Sequence, residues 1–219
     1  MENKKFFHSF WQISSFAAMS AEDTYLTISK PSQGLYKDKG SKFIAYAFPV
    51  STEEEIKKHQ ADLRKEHHSA RHHCYAYRLG AEKLVYRAND DGEPSGTAGK
   101  PILGQLQSKD VTDILIVVVR YFGGTLLGVS GLINAYKLAA AEALTNSIII
   151  EKIVTERFEL QFDYLQMNDV MKIIKDEHLE IKSQNFELTC SLVFEVRKNN
   201  SSKVQEMFNK MSNLELKKK

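Results

Sequence analysis

Apolar runs of strand length alternate with helical patterns along the first two thirds of the chain. Residues 114–119 are six consecutive aliphatic residues, which predict a central strand at 113–122 that is covered on both faces. Thr52 and Thr97 stand where N-caps of two helices are expected. Other β-rich runs predict strands over 25–29, 42–50, 73–79 and 84–87. Helical spacing predicts helices over 52–66, around 102–106 and over 132–144.

The pattern of strands and helices begins again after residue 146. The resulting order is β-α-β-β-α-β, which is typical of a ferredoxin-like domain. The sequence therefore predicts an α+β protein with two domains, at residues 19–148 and 149–219. The elements of the second domain are strands over 158–162, 181–188, 190–196 and 214–216, and helices around 170–174 and 204–211.

Residues 1–18 fit neither predicted domain. Two lysines are followed by aromatic residues, as in a signal peptide, but polar residues between His8 and Ser15 interrupt the apolar segment. We interpret residues 1–18 as an upstream extension, a misread start or a tail, with a targeting segment as the alternative.

Composition and charge are those of an ordinary globular protein. Of the 219 residues, 42% are hydrophobic and 26% are charged, and the net charge is +2. No segment is strongly basic, so any contact with nucleic acid would have to come from a local patch. No apolar run is long enough to span a bilayer. Two cysteines, Cys74 and Cys190, make no disulfide framework, and we expect a cytoplasmic protein.

Glycine is concentrated between residues 90 and 131, which hold eight of the 11 glycines. Gly123 and Gly128 stand between a predicted strand and a predicted helix, as in a P-loop. Val129 replaces the lysine that would contact the β- and γ-phosphates, which argues against ATP hydrolysis. The free amides of the helix N-terminus near Ser130 could still bind a phosphate or a carboxylate. The alternative is that glycine is needed for tight packing of the strand on the helix.

Three carboxylates, Asp90, Asp91 and Glu93, stand within four residues. Such a group could bind Mg²⁺ or supply an acid and a base, so these residues are weak catalytic candidates. The alternative is ordinary turn chemistry together with stabilisation of a following helix N-terminus.

Histidines crowd around Cys74 in the sequence, at His67, His68, His72 and His73. Histidine and cysteine are zinc ligands, but this spacing fits no compact zinc site. A strand that starts near His73 also turns His72 and His73 to opposite faces. We therefore expect no metal and no cofactor. A Cys74–His nucleophile is the weaker alternative, because a lone cysteine is usually a core residue.

Arg120 ends the predicted central strand, beside Tyr121 and Phe122. An arginine with adjacent aromatic residues can bind phosphate and stack on a base. The alternative is a buried phenylalanine and an ion pair from Arg120 to Asp90 or Asp91.

Four segments of the first domain are long enough to be specific. They are Lys-Gly-Ser-Lys-Phe-Ile-Ala-Tyr at 39–46, Arg-His-His-Cys-Tyr-Ala-Tyr at 71–77, the loop from Asp90, and Arg-Tyr-Phe-Gly-Gly-Thr-Leu-Leu-Gly at 120–128. With these segments the chain resembles the Impact family, whose bacterial branch is often called YigZ. The resemblance covers residues 24–146 closely and the rest in outline.

The resemblance implies both the fold and the kind of function. It implies a first domain of the left-handed βαβ type, shared with a small-subunit ribosomal protein and with domain IV of elongation factor G. It implies a second, ferredoxin-like domain similar to domain V of that factor. Eukaryotic relatives bind a translational regulator through additional domains, and bacterial relatives resemble translation- or RNA-associated proteins without an established reaction. Asn134 departs from the family, which usually has an arginine there, in what would be the first turn of the helix.

These observations lead to one main hypothesis and two alternatives. We expect a cytoplasmic, non-enzymatic binding protein that acts on the ribosome or on structured RNA. The alternatives are an enzyme that uses Asp90, Asp91 or Glu93 with a metal or a phosphorylated ligand, and a module that binds a protein partner through the second domain. The residues expected to bind nucleic acid or phosphate are Lys42, Arg71, His73, Thr97, Lys100, Arg120, Gly123, Gly124 and Ser130.

Overall fold

The computed structural model of the protein describes residues 23–187 and 189–219. The predicted extension of residues 1–18 lies outside the described residues. No helix in the described ranges is both long enough and apolar enough to cross a membrane. The strands are β1 (Thr24–Ile28), β2 (Ser32–Asp38), β3 (Ser41–Pro49), β4 (His72–Leu79), β5 (Val85–Asn89), β6 (Ile114–Tyr121), β7 (Ile149–Ile153), β8 (Thr155–Asp163), β9 (Glu180–Phe186), β10 (Thr189–Arg197) and β11 (Leu214–Lys218). The α-helices are α1 (Glu53–Glu66), α2 (Gly99–Ser108), α3 (Gly128–Thr145), α4 (Met167–Asp176) and α5 (Lys198–Asn209).

A five-stranded antiparallel sheet forms the centre of the first compact unit, Tyr25–Lys152. The strand order is β2-β3-β6-β4-β5, so β6 has a paired strand on each side. Ile116 and Val118 of β6 belong to the core formed with α2 and α3, whereas Val117 and Val119 pack in a second core with α1. The prediction of a central strand covered on both faces is therefore confirmed.

The sequence prediction missed two strands of this unit. Strand β2 has a mixed sequence of polar and apolar residues, and it pairs with β3 at the edge of the sheet. It can lie against α3 because Gly34 has no side chain: a Cβ at this position would stand 2.3 Å from the backbone nitrogen of Ala143. Strand β7 pairs with β1 in a separate two-stranded sheet.

Two helix starts also differ from the prediction. Thr52 caps α1 as expected, because its side chain accepts a hydrogen bond from the Glu55 backbone N–H at 3.3 Å. Helix α3, however, begins at Gly128 rather than at residue 132. Asn134 therefore lies in the second turn of α3, and the expectation that it lies in the first turn is wrong.

The second compact unit consists of residues 153–219 together with residues 23 and 24 of the described chain. From β8 to β11 the elements follow the predicted order β-α-β-β-α-β. The four strands form one sheet in the order β11-β8-β10-β9, and all neighbours are antiparallel. The side chains of Phe158, Leu160 and Phe194 lie in its core with residues of α4 and α5.

Candidate anion-binding cleft

The first unit has two glycine-rich segments, residues 92–99 and 123–128. Residues of both segments line one cleft of about 420 Å³. The loop between β5 and α2 supplies Glu93 and Pro94, and the end of β6 supplies Arg120. Residues 122 and 126–129 come from the glycine turn that leads into α3. The remaining lining residues are Arg71, His72 and Leu132.

Asp90 stabilises the first turn of α2. Its carboxylate accepts hydrogen bonds from the backbone N–H groups of Gly96 (2.9 Å), Ala98 (3.0 Å) and Gly99 (2.8 Å). Burial alone would raise the pKa of Asp90, but these three donors outweigh it and the pKa is lowered. Thr97 does not cap α2 as predicted, because its hydroxyl donates to the carbonyl of Pro94 at 2.7 Å. The loop instead brings to the helix the Asp90 carboxylate, which is further away in the sequence than Thr97 and, being charged, a stronger acceptor than a hydroxyl.

Asp91 connects two other elements of the unit. Its carboxylate accepts from Arg64 of α1 at 2.7 Å and from the backbone N–H of His73 in β4 at 2.6 Å. Burial would raise the pKa of Asp91, but the Arg64 guanidinium and the His73 N–H outweigh it and the pKa is lowered. Both oxygens therefore have structural partners within the unit.

Glu93 is a buried hydrogen-bond acceptor in the wall of the cleft. Its Oε1 atom accepts from Arg120 Nη1 at 2.6 Å and from the Tyr136 hydroxyl of α3 at 2.7 Å. Only 7% of the Arg120 side chain and 4% of the Glu93 side chain are exposed. The alternative that Arg120 pairs with Asp90 or Asp91 is therefore wrong: the partner is Glu93.

Arg120 retains an unused hydrogen-bond donor. Its guanidinium carbon lies 5.4 Å from the ring centre of Phe43 and 5.6 Å from that of Phe122. The Nε atom is buried and has no hydrogen-bond partner in the described structure. Buried donors nearly always have partners, so this Nε atom is a donor that the described part of the chain leaves unsatisfied, in a side chain that lines the cleft.

The N-terminus of α3 is open to the cleft. Leu127 occupies the N-cap position and its side chain makes no capping hydrogen bond, none of the other described residues caps the helix, and its first turn contains no acidic residue. Gly128 has φ +72, and Gly123 packs so closely that a Cβ would stand 1.9 Å from the Gly40 carbonyl carbon. Gly123 is thus needed for close packing, and Gly128 for the backbone conformation of the turn. The first N–H groups of α3 have no acceptor within the helix, and the helix dipole makes this end positive.

The predicted phosphate-binding residues separate into three groups. Arg71 and Arg120 line the cleft. His73 and Thr97 are buried below the surface, and burial together with Arg64 lowers the pKa of His73. The third group of predicted phosphate-binding residues is exposed but does not line the cleft: Lys42, Lys100, Gly123, Gly124 and Ser130.

The sequence analysis missed the apolar wall of the cleft. Leu126, Val129 and Leu132 line it together with His72 and Pro94. The available sequence signal was the apolar content of residues 126–129, next to glycines that predict a surface turn; in the structure 82% of Leu126 is exposed.

The histidine and cysteine cluster forms structural contacts. His67 Nε2 lies 2.7 Å from the Tyr46 hydroxyl, and its Nδ1 lies 2.9 Å from the Tyr121 hydroxyl. Cys74 Sγ lies 2.9 Å from the Asp90 carbonyl oxygen, and burial raises the pKa of its thiol far above the usual range. Among residues 23–187 and 189–219, no three His, Cys, Asp or Glu side chains are grouped as metal ligands.

Comparisons with known proteins match most of the chain. Residues 39–144 match the family model described as the Impact N-terminal domain. An "IMPACT family member" of Haemophilus influenzae is 40% identical over 159 residues, which are 71% of this chain and 76% of that protein. The "IMPACT family member YvyE" of Bacillus subtilis is 30% identical over 190 residues, 87% of this chain and 88% of that protein. The crystal structure of a hypothetical protein, 31% identical, has a TM-score of 0.70 and covers 89% of this chain and 96% of its own.

Proposed function

Since the chain belongs to the IMPACT family, we propose that it is a non-enzymatic, translation-associated protein that binds phosphate groups of ribosomal or other structured RNA. The proposal includes a left-handed βαβ type of fold for the first unit and a ferredoxin-like fold for the second. The observation that carries it is the cleft, in which Arg71, Arg120 and the uncapped N-terminus of α3 converge.

The charge of the cleft favours an anion. Glu93 offsets the charge of Arg120, because the two form a buried ion pair. Arg71 is exposed, and no carboxylate is paired with it among the described residues. The uncapped helix end adds partial positive charge in the same place. The cleft therefore combines an arginine with backbone donors, which is a common arrangement for holding phosphate.

The same contacts argue against a catalytic role for the three carboxylates. Asp90 is occupied by three backbone donors, Asp91 by Arg64 and His73, and Glu93 by Arg120 and Tyr136. A general base needs a lone pair that is directed at a substrate proton. Each of these carboxylates instead holds parts of the fold together.

Binding to ribosomes and to structured RNA tests the proposal. We expect cosedimentation at low salt that weakens steeply as salt rises, because phosphate contacts release counterions. Arg71→Ala should weaken binding and reduce the slope of log K against log salt by about 1. Arg87→Ala is the matched control, since Arg87 is an exposed arginine of the same unit on β5 and does not line the cleft. Absence of binding at low salt, or equal effects of the two variants, would contradict the proposal.

A further inference from the structure

We infer that the cleft binds a single unpaired nucleotide, with the phosphate at the N-terminus of α3 and the base against the apolar wall. The nucleotide could be a free nucleoside monophosphate or an unpaired residue of an RNA, since both present the same chemistry. This inference rests on the proposed function and specifies which part of an RNA the cleft takes.

The size of the cleft favours one nucleotide rather than a helix. A volume of about 420 Å³ falls within the range of small-ligand sites, which is roughly 300–1,000 Å³. An RNA duplex presents its phosphates on the outside of a wide cylinder and keeps its bases stacked. Proteins that read RNA at such sites therefore take unpaired bases that have left the stack.

The polar end of the cleft suits a phosphate. Within residues 23–187 and 189–219, no side chain accepts from the first N–H groups of α3, and Arg71 lies in the same cleft. Independently, Arg120 Nε is buried without a partner, in a side chain that is 7% exposed and lines the cleft. Because the Nε atom itself is not exposed, the guanidinium would have to rotate before a phosphate or ribose oxygen could accept from it, and that hydrogen bond would be charge-assisted.

The apolar end of the cleft suits a planar base. Phe122 is 49% exposed, Leu126 82% and Val129 60%, although all three are apolar, and all three line the cleft. Arg120 lies over the ring of Phe122 and so fixes one side of that ring. Stacking of a base on an aromatic ring tolerates every base, because each has a π-face. We therefore expect little preference between purines and pyrimidines beyond stacking strength.

Calorimetric titration of the whole chain with AMP, ribose 5-phosphate and adenosine tests the inference. AMP should bind at least about tenfold more tightly than either fragment, because only AMP uses both ends of the cleft. Val129→Asp should abolish AMP binding, since it puts a carboxylate beside the first amides of α3 and also removes an apolar side chain from the wall that contacts the base. An acidic residue at this position is compatible with folding, because it suits the helix dipole. Asn134→Asp is the control: it adds the same charge to an exposed position of the second turn and should leave AMP binding unchanged.

A competition experiment separates the two sources of the ligand. A single-stranded oligonucleotide with a 5′-phosphate should displace AMP, whereas a blunt-ended, fully paired duplex of the same composition should not, because it has no unpaired nucleotide. Displacement of AMP by the duplex as effectively as by the single strand would overturn the inference, and so would equal affinity for AMP and ribose 5-phosphate. RNA binding that depends on Arg71 without any binding of AMP would overturn this inference but leave the proposed function standing. Binding of AMP without binding of RNA or ribosomes would overturn the proposed function and leave nucleotide binding by the cleft standing.

Discussion

Replacing Asp90 by alanine removes one carboxylate that accepts three backbone hydrogen bonds. Its Oδ1 atom accepts from Ala98 and Gly99, and its Oδ2 atom accepts from Gly96. Two of these donors stand at the start of α2, where no N-cap side chain is present. Asp90→Ala therefore leaves three N–H groups without a protein acceptor. Asp90→Asn keeps one side-chain oxygen as an acceptor, but its NH₂ group replaces the other oxygen and faces an N–H donor with which it cannot form a hydrogen bond.

The expected loss of stability follows from this count. A hydrogen bond to a charged group contributes about 1.5–3 kcal/mol when it is well shielded, and loss of a helix cap costs about 0.5–2 kcal/mol. Asp90 is only partly buried, so we take about 1 kcal/mol per bond, which is below the value for a well-shielded bond to a charged group. We expect about 3 kcal/mol for Asp90→Ala and about 1–2 kcal/mol for Asp90→Asn.

Urea unfolding monitored by circular dichroism measures both losses, with the slope m held constant. The pH dependence adds a second readout. Because the pKa of Asp90 in the folded state lies below its ordinary value of 3.8, its charged form stabilises the fold fully above that value. The difference between wild type and Asp90→Asn should therefore be constant from about pH 8 to 5 and shrink as the pH falls below the ordinary value. Asp62→Asn on the exposed face of α1 is the control and should change stability by less than about 0.5 kcal/mol.

Two results would refute the reasoning about Asp90. One is a loss below about 1 kcal/mol for Asp90→Ala, because three unpaired donors cannot be that inexpensive. The other is an equal loss for alanine and asparagine, which would mean that the remaining amide oxygen contributes nothing.

Three further predictions concern the same unit. Glu93→Gln should destabilise it by about 3 kcal/mol, because the Arg120 charge stays buried without a counter-charge. In a double-mutant cycle with Arg120→Met, the double variant should lose less stability than the sum of the two single variants. Strict additivity would argue against the ion pair. Gly123→Ala should cost about 2 kcal/mol or more in thermal unfolding, since its Cβ would meet the backbone of a neighbouring turn; the control Gly104→Ala, in a helix with open space around it, should stabilise by about 1 kcal/mol. Cys74 should resist thiol reagents at pH 8 until the protein is unfolded, because its thiol is buried and its pKa is raised; rapid labelling of the native state would contradict this.

The core of the fold could be predicted from the sequence because its pattern is local. The six aliphatic residues of β6 specify a strand buried on both faces. Strand β2 could not be predicted in this way, because it is held by α3 and by β3 rather than by its own apolar content. Its Gly34 has meaning only once Ala143, more than a hundred residues away, lies against it.

The candidate site shows the same limit. Thr97 was predicted as the cap of α2 because it directly precedes the helical pattern, and an aspartate was the alternative partner for Arg120. The loop instead folds back, so that Asp90 reaches the amides six to nine residues later, and Glu93 meets an arginine 27 residues away. Such choices depend on the path of the loop, which no local pattern encodes. The resemblance to a family indicated where the functional surface lies, but it could not assign these partners.

The loop from Asp90 to Glu93 has no helix or strand of its own, yet each of its three carboxylates holds a different part of the unit. Asp90 binds the start of α2, Asp91 binds α1 and β4, and Glu93 binds β6 and α3. Loops usually exchange their amide hydrogens by local opening, but opening this one would release five elements at once. In native-state hydrogen exchange the amides of His73 and Gly99 should therefore be as slow as those of the central strand. A protease should leave this glycine-rich segment intact until the whole unit unfolds.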